Sequence, residues 1–324
     1  MSALLHHAEH VMQVVQSGSA AAHSRLAASW RRSMMIHSLD PASTRKPHRL
    51  ECRTLRDRLD ASGAFLEAAR PELDALFQIV GMSGCSAVLT DPDGIILEQR
   101  SPDGDATTFA SWGLCTGFDW SEQMAGTNGI GTCLSEVCAV TIHKDEHFLY
   151  TNRAMSCIGA PIFGADGALV GALDVSSARA DQTVGMNCLL AAAAARFANV
   201  IEARLFRATF PQSRIVMVGW GDVPCLVAVD PDDLVIGATR AARRKMDLGT
   251  QRILAPIPLA DLAGQDGRRR GIEGAEYAAL RRALVRSGGN AAAAARALGL
   301  SRTTLYRRMK RVGLEKDDLN LFQN

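Results

Sequence analysis

Several common sequence features are missing from this chain of 324 residues. It contains no GxxxxGK[ST] phosphate-binding loop, which excludes a P-loop ATPase within these residues. Its eight cysteines form no CxxC pair and have no regular spacing. Scattered cysteines of this kind predict reduced, mostly buried thiols in a cytoplasm. No internal repeat is found.

Long apolar runs are also missing. The longest candidate, residues 188–195, ends at Arg196, far short of the roughly 18 residues that a membrane span needs. Glu9 and three histidines interrupt the N-terminal apolar residues, so no signal peptide is expected there. With 47% hydrophobic residues and a net charge of +2, the composition predicts two or three globular domains, a cytoplasmic location and no membrane partner.

The C-terminal region has the most specific local pattern, which predicts two short helices joined by a tight turn. Asn290 is a good N-cap for a run of alanines, and Gly299 can end that helix in the left-handed conformation. Ser301 can cap a second helix, which runs to about Val312 and is closed by Gly313. A helix of this kind, placed after a tight turn, is how many proteins enter the DNA major groove.

The second of these helices has two different faces. Leu305, Met309 and Val312 recur at helical spacing and predict an apolar face. A preceding helix, at about 273–287, turns Tyr277, Leu280 and Leu284 toward it. The DNA contacts predicted on the other face are to bases from Arg302, Thr303, Tyr306 and Arg307, and to phosphates from Arg308, Lys310 and Arg311, with Thr304 beside them.

Charge supports a nucleic-acid partner for this region. Residues 268–311 contain twelve Lys or Arg and two Glu, whereas the whole chain carries only +2. A basic segment on a mildly acidic remainder is typical of a domain that binds a polyanion. A solvated basic linker at 268–270 is the alternative interpretation of part of this charge.

The region from about Leu280 to Leu314 resembles the Fis-type helix-turn-helix, the three-helix module of the factor for inversion stimulation and of many bacterial activators. The matching residues are Gly289-Asn290, Ala294-Ala295, Leu298-Gly299, Ser301-Arg302, Thr304-Leu305-Tyr306 and Lys310. Ala292 departs from the pattern, because that family often has Ser or Thr there, and one phosphate contact is thereby lost.

The rest of the chain predicts a multidomain α+β fold. Residues 1–80 have a helical pattern, with segments at 25–39, from about Leu50, and after Pro71. Short strands are predicted at 86–90, 95–98, 139–142, 157–163 and 169–175, followed by a helix at 184–207. Strands in hairpins with flanking helices indicate an antiparallel sheet rather than a parallel α/β enzyme.

A smaller unit follows at 208–254, with strands at 215–218, 225–229 and 234–237 and a helix at 239–246. Residues 255–271 are rich in Pro and Gly and predict a linker. The helix-turn-helix domain is then expected at 272–314, with a tail at 315–324.

A second resemblance covers roughly residues 25–207. It is carried, in order, by Ser29-Trp30-Arg31-Arg32-Ser33, Leu39-Asp40-Pro41, Leu89-Thr90-Asp91 with Gly94, Gly126-Thr127-Asn128-Gly129-Ile130-Gly131-Thr132, Glu146-His147-Phe148, Cys157 with Ala160-Pro161-Ile162, and Gly171-Ala172-Leu173-Asp174-Val175. These motifs are similar to the sensor region of acetoin-catabolism-type bacterial transcriptional regulators. The resemblance implies an N-terminal helical region at 1–80, a GAF-like sensor at 81–207 and a small PAS-like segment after it. Typical members then carry an AAA+ ATPase that remodels sigma-54 polymerase, and this chain has none.

The sensor is expected to hold a small molecule between its sheet and the loops from Trp112 to Phe148. Small-molecule sites usually combine apolar walls with a few polar anchors. The residues predicted to bind the effector are Trp112, Phe118, Trp120 and Phe148 as wall, and Glu122, Thr127, Asn128, His143, His147 and Cys157 as polar or thiol groups. The alternative is that the tryptophans belong to the core and the polar groups cap helices and turns.

Other chemistries are weighed against this interpretation. The glycines at 126–131 lack the lysine of a phosphate loop and predict a turn before a helix at 130–136. His143 and His147 would face a common metal only on a helix, and the residues between them favour a loop, so no metal and no cofactor are predicted. A thiol-dependent enzyme is disfavoured by the fused DNA-binding module, although a redox or metal sensor is kept as a minor alternative.

The predicted function is a ligand-responsive transcriptional regulator that is not an enzyme and not, by itself, a sigma-54 ATPase activator. It is expected to bind double-stranded DNA at a pseudo-palindrome as a homodimer, because helix-turn-helix proteins usually pair. A small-molecule effector and RNA polymerase are the further partners considered. The alternative is a partner or inhibitor that forms mixed dimers with an ATPase-bearing relative.

Overall fold

The structure is a computed structural model that describes residues 2–17, 20–45, 47–219, 223–249, 251–262, 272–287 and 290–314. Contacts divide the chain into two compact units, Met1–Ala228 with Gly237–Leu254, and Val229–Ile236 with Ala255–Asn324. Gly289, the predicted tail at 315–324 and positions 263–271 of the predicted linker lie outside the described residues.

Helices form most of the N-terminal region, as predicted. They are α1 (Ser2–Gln16), α2 (Ala20–His23), α3 (Arg25–Arg31), α4 (Cys52–Ala61) and α5 (Gly63–Val80). The first predicted segment is shorter than expected as an α-helix, because α3 passes into a π-helix over Arg32–Ile36. A π-helix is rare and often lies at a functional position.

The prediction that a new helix begins after Pro71 is wrong, because Pro71 lies inside α5. A proline in a helix interior removes one backbone hydrogen bond and commonly costs about 3 kcal/mol. The apolar face of α5 nevertheless continues across it, with Leu66 and Ala69 on one side and Leu73 and Leu76 on the other, all buried. Burial of this continuous face offsets the cost.

Five strands form the main sheet, in the order β2-β1-β5-β4-β3. They are β1 (Cys85–Thr90), β2 (Ile96–Arg100), β3 (Val140–His143), β4 (Ser156–Phe163) and β5 (Leu169–Ser177). Each neighbouring pair is antiparallel, with Val88 opposite Asp174 and Ile158 opposite Val175 as examples of the register. The predicted α+β class with an antiparallel, GAF-like sheet is thereby confirmed.

Apolar cores cover both faces of this sheet. On one face α5 and α9 (Val184–Thr209) pack against it through residues such as Leu73, Leu173 and Ile201. On the other face lie α6 (Ala106–Ser111), α7 (Glu122–Ala125), α8 (Gly129–Glu136) and their loops, with Trp120 and Ile130 in the second core. The loops that position the candidate sensor site belong to this second face.

Helix α9 is long and apolar enough to cross a membrane by length and composition alone. In this fold one face of α9 packs against the sheet, where Leu190, Ala194, Ala198 and Ile201 are buried. Leu189, in contrast, is 70% exposed.

The remaining elements are short. They are β6 (Arg214–Met217), β7 (Leu226–Val229), β8 (Leu234–Ala238), α10 (Arg240–Lys245), β9 (Ile257–Pro258) and α11 (Leu259–Leu262). β8 and β9 are antiparallel, with Val235 opposite Ile257. Residues 257–262 of the predicted linker are therefore structured, because Ile257 and Pro258 pair with a strand.

Three helices follow in the C-terminal region, namely α12 (Ile272–Arg286), α13 (Ala291–Ala297) and α14 (Arg302–Arg311). They share one small core, to which Leu280 and Leu284 contribute from α12, Ala294 from α13, and Leu305 and Met309 from α14. This is the three-helix arrangement that the sequence predicts.

Candidate nucleic-acid interface and sensor site

Side-chain caps fix the start of both helices in the turn. The Asn290 Oδ1 atom accepts hydrogen bonds from the backbone N–H groups of Ala292 at 3.0 Å and Ala293 at 3.2 Å. The Ser301 Oγ atom accepts one from Thr304 at 3.1 Å. Gly299, between the helices, has φ +64°, a conformation that glycine adopts without steric cost. The three residues predicted to shape the turn therefore do so.

Helix α14 separates its apolar and cationic faces as predicted. Leu305 and Met309 are buried, and Val312 just beyond the helix is also buried. Six of the eight residues predicted to contact DNA are exposed, and these are Arg302, Thr303, Arg307, Arg308, Lys310 and Arg311. Together these exposed residues form a cationic surface, and their side chains can hydrogen-bond to base edges and phosphates.

The other two predicted DNA contacts are only partly exposed. Tyr306 packs against the three-helix core, and the guanidinium of Arg302 lies 5.7 Å from the centre of its ring. Thr304 is also half-buried, and its hydroxyl lies 2.8 Å from that of Ser301. These contacts give both residues a structural role at the start of α14.

Two of the predicted phosphate contacts have an intramolecular partner. Arg308 Nη1 lies 3.4 Å from the carboxylate of Glu276 on α12, and Arg311 forms a second ion pair with the same carboxylate. The Glu276 side chain is only 11% exposed, whereas that of Arg311 is 62% exposed. One acid on α12 therefore partly neutralises the cationic end of α14.

In the sensor, Asn128 acts as a helix cap. Its Oδ1 atom accepts from the backbone N–H groups of Ile130 and Gly131, and its Nδ2 atom donates to the carbonyls of Trp120 and Gly126. All four hydrogen-bonding positions of the amide are thus used within the protein. Asn128 was predicted to bind the effector, but its side-chain amide already makes all its hydrogen bonds within the protein.

Glu122 and Thr127 both contact the N-terminal region, and Glu122 also lines a cavity of about 260 Å³ together with Pro92 and Ser121. The Ser29 hydroxyl donates to Glu122 and lies 2.7 Å from the hydroxyl of Thr127. Arg32, in the π-helix, forms an ion pair with Glu122 and another with Glu136. Two members of the Ser-Trp-Arg-Arg-Ser motif, its first serine and its second arginine, therefore bind α7, α8 and the loop between them.

The tryptophan of the same motif makes a further contact with the sensor. The indole N–H of Trp30 donates to the backbone carbonyl of Glu146 at 2.9 Å, and the Trp30 side chain is buried. The motif therefore holds α3 and the π-helix against the loops around α8.

A buried polar chain runs through the centre of the sensor. The His147 Nε2 atom lies 3.4 Å from the Cys157 thiol, the Ser176 hydroxyl donates to that thiol, and the same hydroxyl lies 2.6 Å from Asp174 Oδ2. Burial lowers the pKa of His147 to about 4 and raises the pKa of the Cys157 thiol. A neutral imidazole beside a protonated thiol is not an activated nucleophile.

Asp174 is the least satisfied member of this chain. It is fully buried, its Oδ1 atom has no hydrogen-bond partner in the part of the chain that the structure describes, and burial raises its pKa to about 7. From the sequence, Asp174 stands out only as part of a family motif, although an acid in the middle of a mostly apolar strand also marks a buried polar group.

His143 and His147 have separate partners. The residues between them, predicted as a loop, form a single turn of 3-10 helix, Lys144–Glu146. His143 Nδ1 instead lies 2.7 Å from the Ser156 hydroxyl and 3.0 Å from the Asn187 amide. Among the described residues, no group of three or more His, Cys, Asp or Glu side chains is arranged to hold a metal ion.

The predicted aromatic wall is divided between two places. Phe148 is fully buried in a cluster with Trp30 and Val11, away from the second sheet core. Trp120 belongs to that second core, and Trp112 and Phe118 pack against it. The four rings therefore do not line one common wall.

A cavity of about 480 Å³ lies beside two of these aromatic residues. Of the ten residues predicted to bind an effector, it is lined by Trp112 and Trp120. Its other walls come mainly from the segment at 38–45, from Pro47 and His48, from Met124 and Ala125, and from the segment at 149–152. None of these residues is predicted from the sequence, because contacts between distant parts of the chain bring the segments at 38–45 and 47–48 to the cavity.

Comparison with known protein families gives two matches. Residues 8–199 match the family described as MimR, N-terminal domain, and residues 271–311 match the bacterial regulatory protein, Fis family. The first match covers more than half of the chain and includes α3, the main sheet and most of α9. The second covers the three C-terminal helices, and no AAA+ region lies between the two.

Two similar proteins are regulatory proteins of bacteria. The chain is 32% identical over 154 residues to the acetoin catabolism regulatory protein of Cupriavidus necator, covering 48% of this chain and 23% of that protein. It is 32% identical over 135 residues to the propane 2-monooxygenase operon transcriptional activator MimR of Mycolicibacterium smegmatis, covering 41% and 22%. The chain thus spans about a quarter of the length of the relatives it matches.

A solved structure supports the fold of the sensor. The E. coli DhaR(N)–DhaL complex contains a chain that aligns with a TM-score of 0.52 and 16% identity, over 71% of this chain and 78% of that one. At this identity the likeness concerns the fold alone. Taken with the match over residues 8–199, it leads to the conclusion that this chain belongs to the MimR N-terminal domain family and carries a Fis-family segment at its C-terminal end.

Proposed function

We propose that this protein is a DNA-binding transcriptional regulator whose sensor region responds to a small molecule. The observation that carries the proposal is the geometry of α14, which exposes Arg302, Arg307 and Lys310 while burying Leu305 and Met309. Side-chain caps hold the helix start in place. A rigid, cationic helix behind a tight turn suits the major groove of duplex DNA.

The proposed division of roles follows from exposure and reach. Arg302, Thr303 and Arg307 are exposed and are assigned to base edges, together with the less exposed Thr304 and Tyr306. Arginine can bind guanine through two parallel hydrogen bonds, a contact worth about 1–3 kcal/mol of discrimination. Lys310, Arg308 and Arg311 are assigned to phosphates, which contribute affinity without sequence preference.

The regulator is proposed to act in the cytoplasm as a homodimer that binds a pseudo-palindromic operator, with RNA polymerase as a further partner. Two recognition helices one helical turn apart would read the two half-sites. The exposed apolar residues Val184 and Leu189 of α9 offer one surface for pairing. The roles of the relatives in acetoin catabolism and in control of a propane 2-monooxygenase operon support a small-molecule effector for the sensor.

Two arginine variants test the DNA-binding role. Arg307→Ala should weaken binding to the preferred operator by about 1–3 kcal/mol and relax sequence preference, because a base contact is lost. Arg311→Ala should weaken all duplexes similarly and flatten the dependence of affinity on salt. Fluorescence anisotropy with operator and scrambled duplexes measures both effects. A wild-type protein that prefers no promoter fragment over random duplex would contradict the proposed function.

A second candidate function is a partner or inhibitor of an ATPase-bearing relative. The observation in its favour is that the chain combines the sensor and the Fis-family segment without a phosphate-binding loop. Mixed dimers would then contain one ATPase domain instead of two. Co-expression with such a relative, followed by tandem affinity purification, tests this. Recovery of homodimers alone would reject mixed dimers.

A further inference from the structure

We propose that Cys133 and Cys138 form a reversible disulfide, which makes the C-terminal end of α8 a site of oxidation by hydroperoxides. Cys133 lies in the last turn of α8, and Cys138 is the second residue after that helix. The inference goes beyond the proposed function and does not depend on DNA binding, because both cysteines belong to the sensor.

The end of α8 brings the two cysteines together. Val137 adopts the left-handed conformation, with φ +53°, and turns the chain back. The backbone N–H of Cys138 then donates to the carbonyl of Cys133 at 3.3 Å. Standard bond lengths and a near-linear hydrogen bond limit the separation of the two α-carbons to about 6.6 Å. A disulfide requires about 4.4–6.8 Å, and the side chains at these two positions of a helix end commonly touch.

Cys138 has the surroundings of the thiol that reacts first. It is half-buried, and the Arg25 Nη1 atom donates a hydrogen bond to its sulfur at 3.2 Å. Peroxides react with the thiolate form of cysteine, and reactive cysteines commonly lie next to cations in partly exposed positions. The Cys138 sulfur is therefore assigned to the attack on the peroxide.

Cys133 has the surroundings of the second thiol. Its side chain is fully buried, and burial raises the pKa of the Cys133 thiol, with Asp174 and Cys138 as smaller contributors. This thiol stays protonated and does not react with the peroxide itself. Oxidation-sensitive cysteines often have such a second cysteine beside them, which converts the sulfenic acid to a disulfide.

The two steps balance without a further reactant. The Cys138 thiolate attacks the peroxide, so that an S–O bond forms and the O–O bond breaks. The departing alkoxide or hydroxide takes up the thiol proton, which leaves a sulfenic acid and an alcohol or water. The Cys133 sulfur then attacks the Cys138 sulfur, the S–O bond breaks, and hydroxide leaves as water with the Cys133 proton. The two thiols lose two electrons, and the peroxide is reduced.

The cysteine pair lies where α3 meets the end of α8. Arg25 is the first residue of α3, and Arg32 in the following π-helix forms an ion pair at 2.6 Å with Glu136, the last residue of α8. A disulfide would engage the same sulfur atom that Arg25 contacts. Oxidation would therefore weaken one of these two attachments of the N-terminal region to the sensor.

Peptide mapping of the full chain tests the disulfide. The protein is treated with a small excess of hydrogen peroxide, free thiols are blocked with N-ethylmaleimide, and Glu-C protease is added without a reductant. Cleavage after glutamate places the two cysteines in different peptides, 123–136 and 137–146. We expect one linked species that dithiothreitol separates. Recovery of both peptides unlinked, while the exposed Cys52 and Cys188 are oxidised, would overturn the proposal.

Three cysteine variants test the order of the steps. Cys133→Ser should stop the reaction at the sulfenic acid of Cys138, which dimedone traps, and Cys138→Ser should leave Cys133 reduced. Cys188→Ser, at an exposed position on α9, is the matched control and should form the linked peptides at the wild-type rate. Melting temperatures establish that each variant is folded, and Cys133→Ala replaces an unfolded Cys133→Ser. Oxidation of Cys133 at an unchanged rate in Cys138→Ser would overturn the order.

Two substitutions of Arg25 test its effect on Cys138. Arg25→Ala should slow formation of the linked peptides at least fivefold, and Arg25→Lys should largely restore the rate because it keeps a cation. Arg31→Ala, at an exposed position at the other end of α3, is the matched control and should react normally. Equal rates in Arg25→Ala and the wild type would overturn the role assigned to Arg25.

Hydrogen exchange of the α3 amides tests the effect on the N-terminal region. The oxidised full chain should exchange them at least twofold faster than the reduced chain, and reduced Arg25→Ala should resemble the oxidised wild type. Equal exchange in both redox states would overturn this effect. These measurements contain no DNA, so their failure would leave the DNA-binding role intact. A chain that forms the disulfide but prefers no promoter fragment would instead contradict the proposed function alone.

Discussion

Arg32 and Glu122 form an ion pair with two hydrogen bonds, one from Nε to Oε2 at 2.8 Å and one from Nη2 to Oε1 at 3.1 Å. The Glu122 side chain is only 2% exposed, so Arg32 supplies the main positive charge beside a buried carboxylate. The pair connects the π-helix to α7, which are far apart in the sequence. It therefore stabilises the attachment of the N-terminal helices to the loops of the sensor.

Replacing Arg32 tests this role. Arg32→Ala should destabilise the protein by about 3 kcal/mol, because it leaves the buried Glu122 carboxylate without its cation. Arg31→Ala is the matched control, since Arg31 is exposed, and it should change stability by less than about 0.5 kcal/mol. Urea unfolding followed by circular dichroism measures both.

The double variant Arg32→Ala with Glu122→Gln separates charge from packing. Removing the carboxylate as well should recover a large part of the lost stability, because no uncompensated charge remains. Equal destabilisation in the single and double variants would show that Arg32 acts through packing instead of its charge.

The parts of the fold that depend on local rules were predictable from the sequence. Asn290, Gly299 and Ser301 act within a few residues of themselves, so cap preferences and the left-handed conformation of glycine locate the helix-turn-helix. Strands of the main sheet are likewise predictable, because turn residues such as those at 91–94 separate short apolar runs.

Features that depend on long-range packing were not predictable. Pro71 should have ended a helix by local propensity, and only the shared core of α5 explains why it does not. The effector residues were predicted from residue type alone, and this cannot show that Asn128 is a cap. The backbone bridge between Arg49 and Phe118, next to His48 and Asp119 in the cavity lining, joins distant segments, and no sequence period reveals it.

Stability should depend on the protonation of Asp174. Its pKa is raised by burial from 3.8 to about 7, so the folded protein holds a proton that the unfolded chain releases above pH 4. This contribution to stability is therefore present at low pH and is lost as the pH rises from about 4 to about 7. Asp174→Asn should remove the loss and raise the melting temperature at pH 8 by several degrees relative to the wild type.

The difference in melting temperature between Asp174→Asn and the wild type should become smaller toward pH 4. Contributions from His147 and from Glu202, whose pKa burial raises to about 7, are common to both proteins and cancel in this difference. Asp181→Asn is a suitable control, because Asp181 is exposed. Calorimetry across this pH range measures the profile, and a constant difference at every pH would exclude Asp174 as the titrating group.

The Asn290 cap should determine the local stability of α13. Asn290→Ala removes the acceptor for two backbone N–H groups and should cost about 1 kcal/mol, the usual worth of such a cap. Asn290→Asp keeps an acceptor oxygen and should cost much less. Hydrogen exchange of the Ala292 and Ala293 amides, measured on the full chain, should accelerate in the first variant only. Equal protection in both would mean that tertiary packing alone holds the helix start.

Glu276 should limit DNA affinity, because it pairs with both Arg308 and Arg311. Glu276→Gln releases two cations toward the phosphates, so affinity for operator and scrambled duplexes should rise severalfold. The slope of log affinity against log salt should become steeper, by about 0.9 for each additional phosphate contact. Glu273→Gln is the matched control, since it changes the net charge of α12 equally at an exposed position. Anisotropy titrations at several salt concentrations compare the two variants, and an equal gain in both would attribute the effect to net charge instead of the ion pairs.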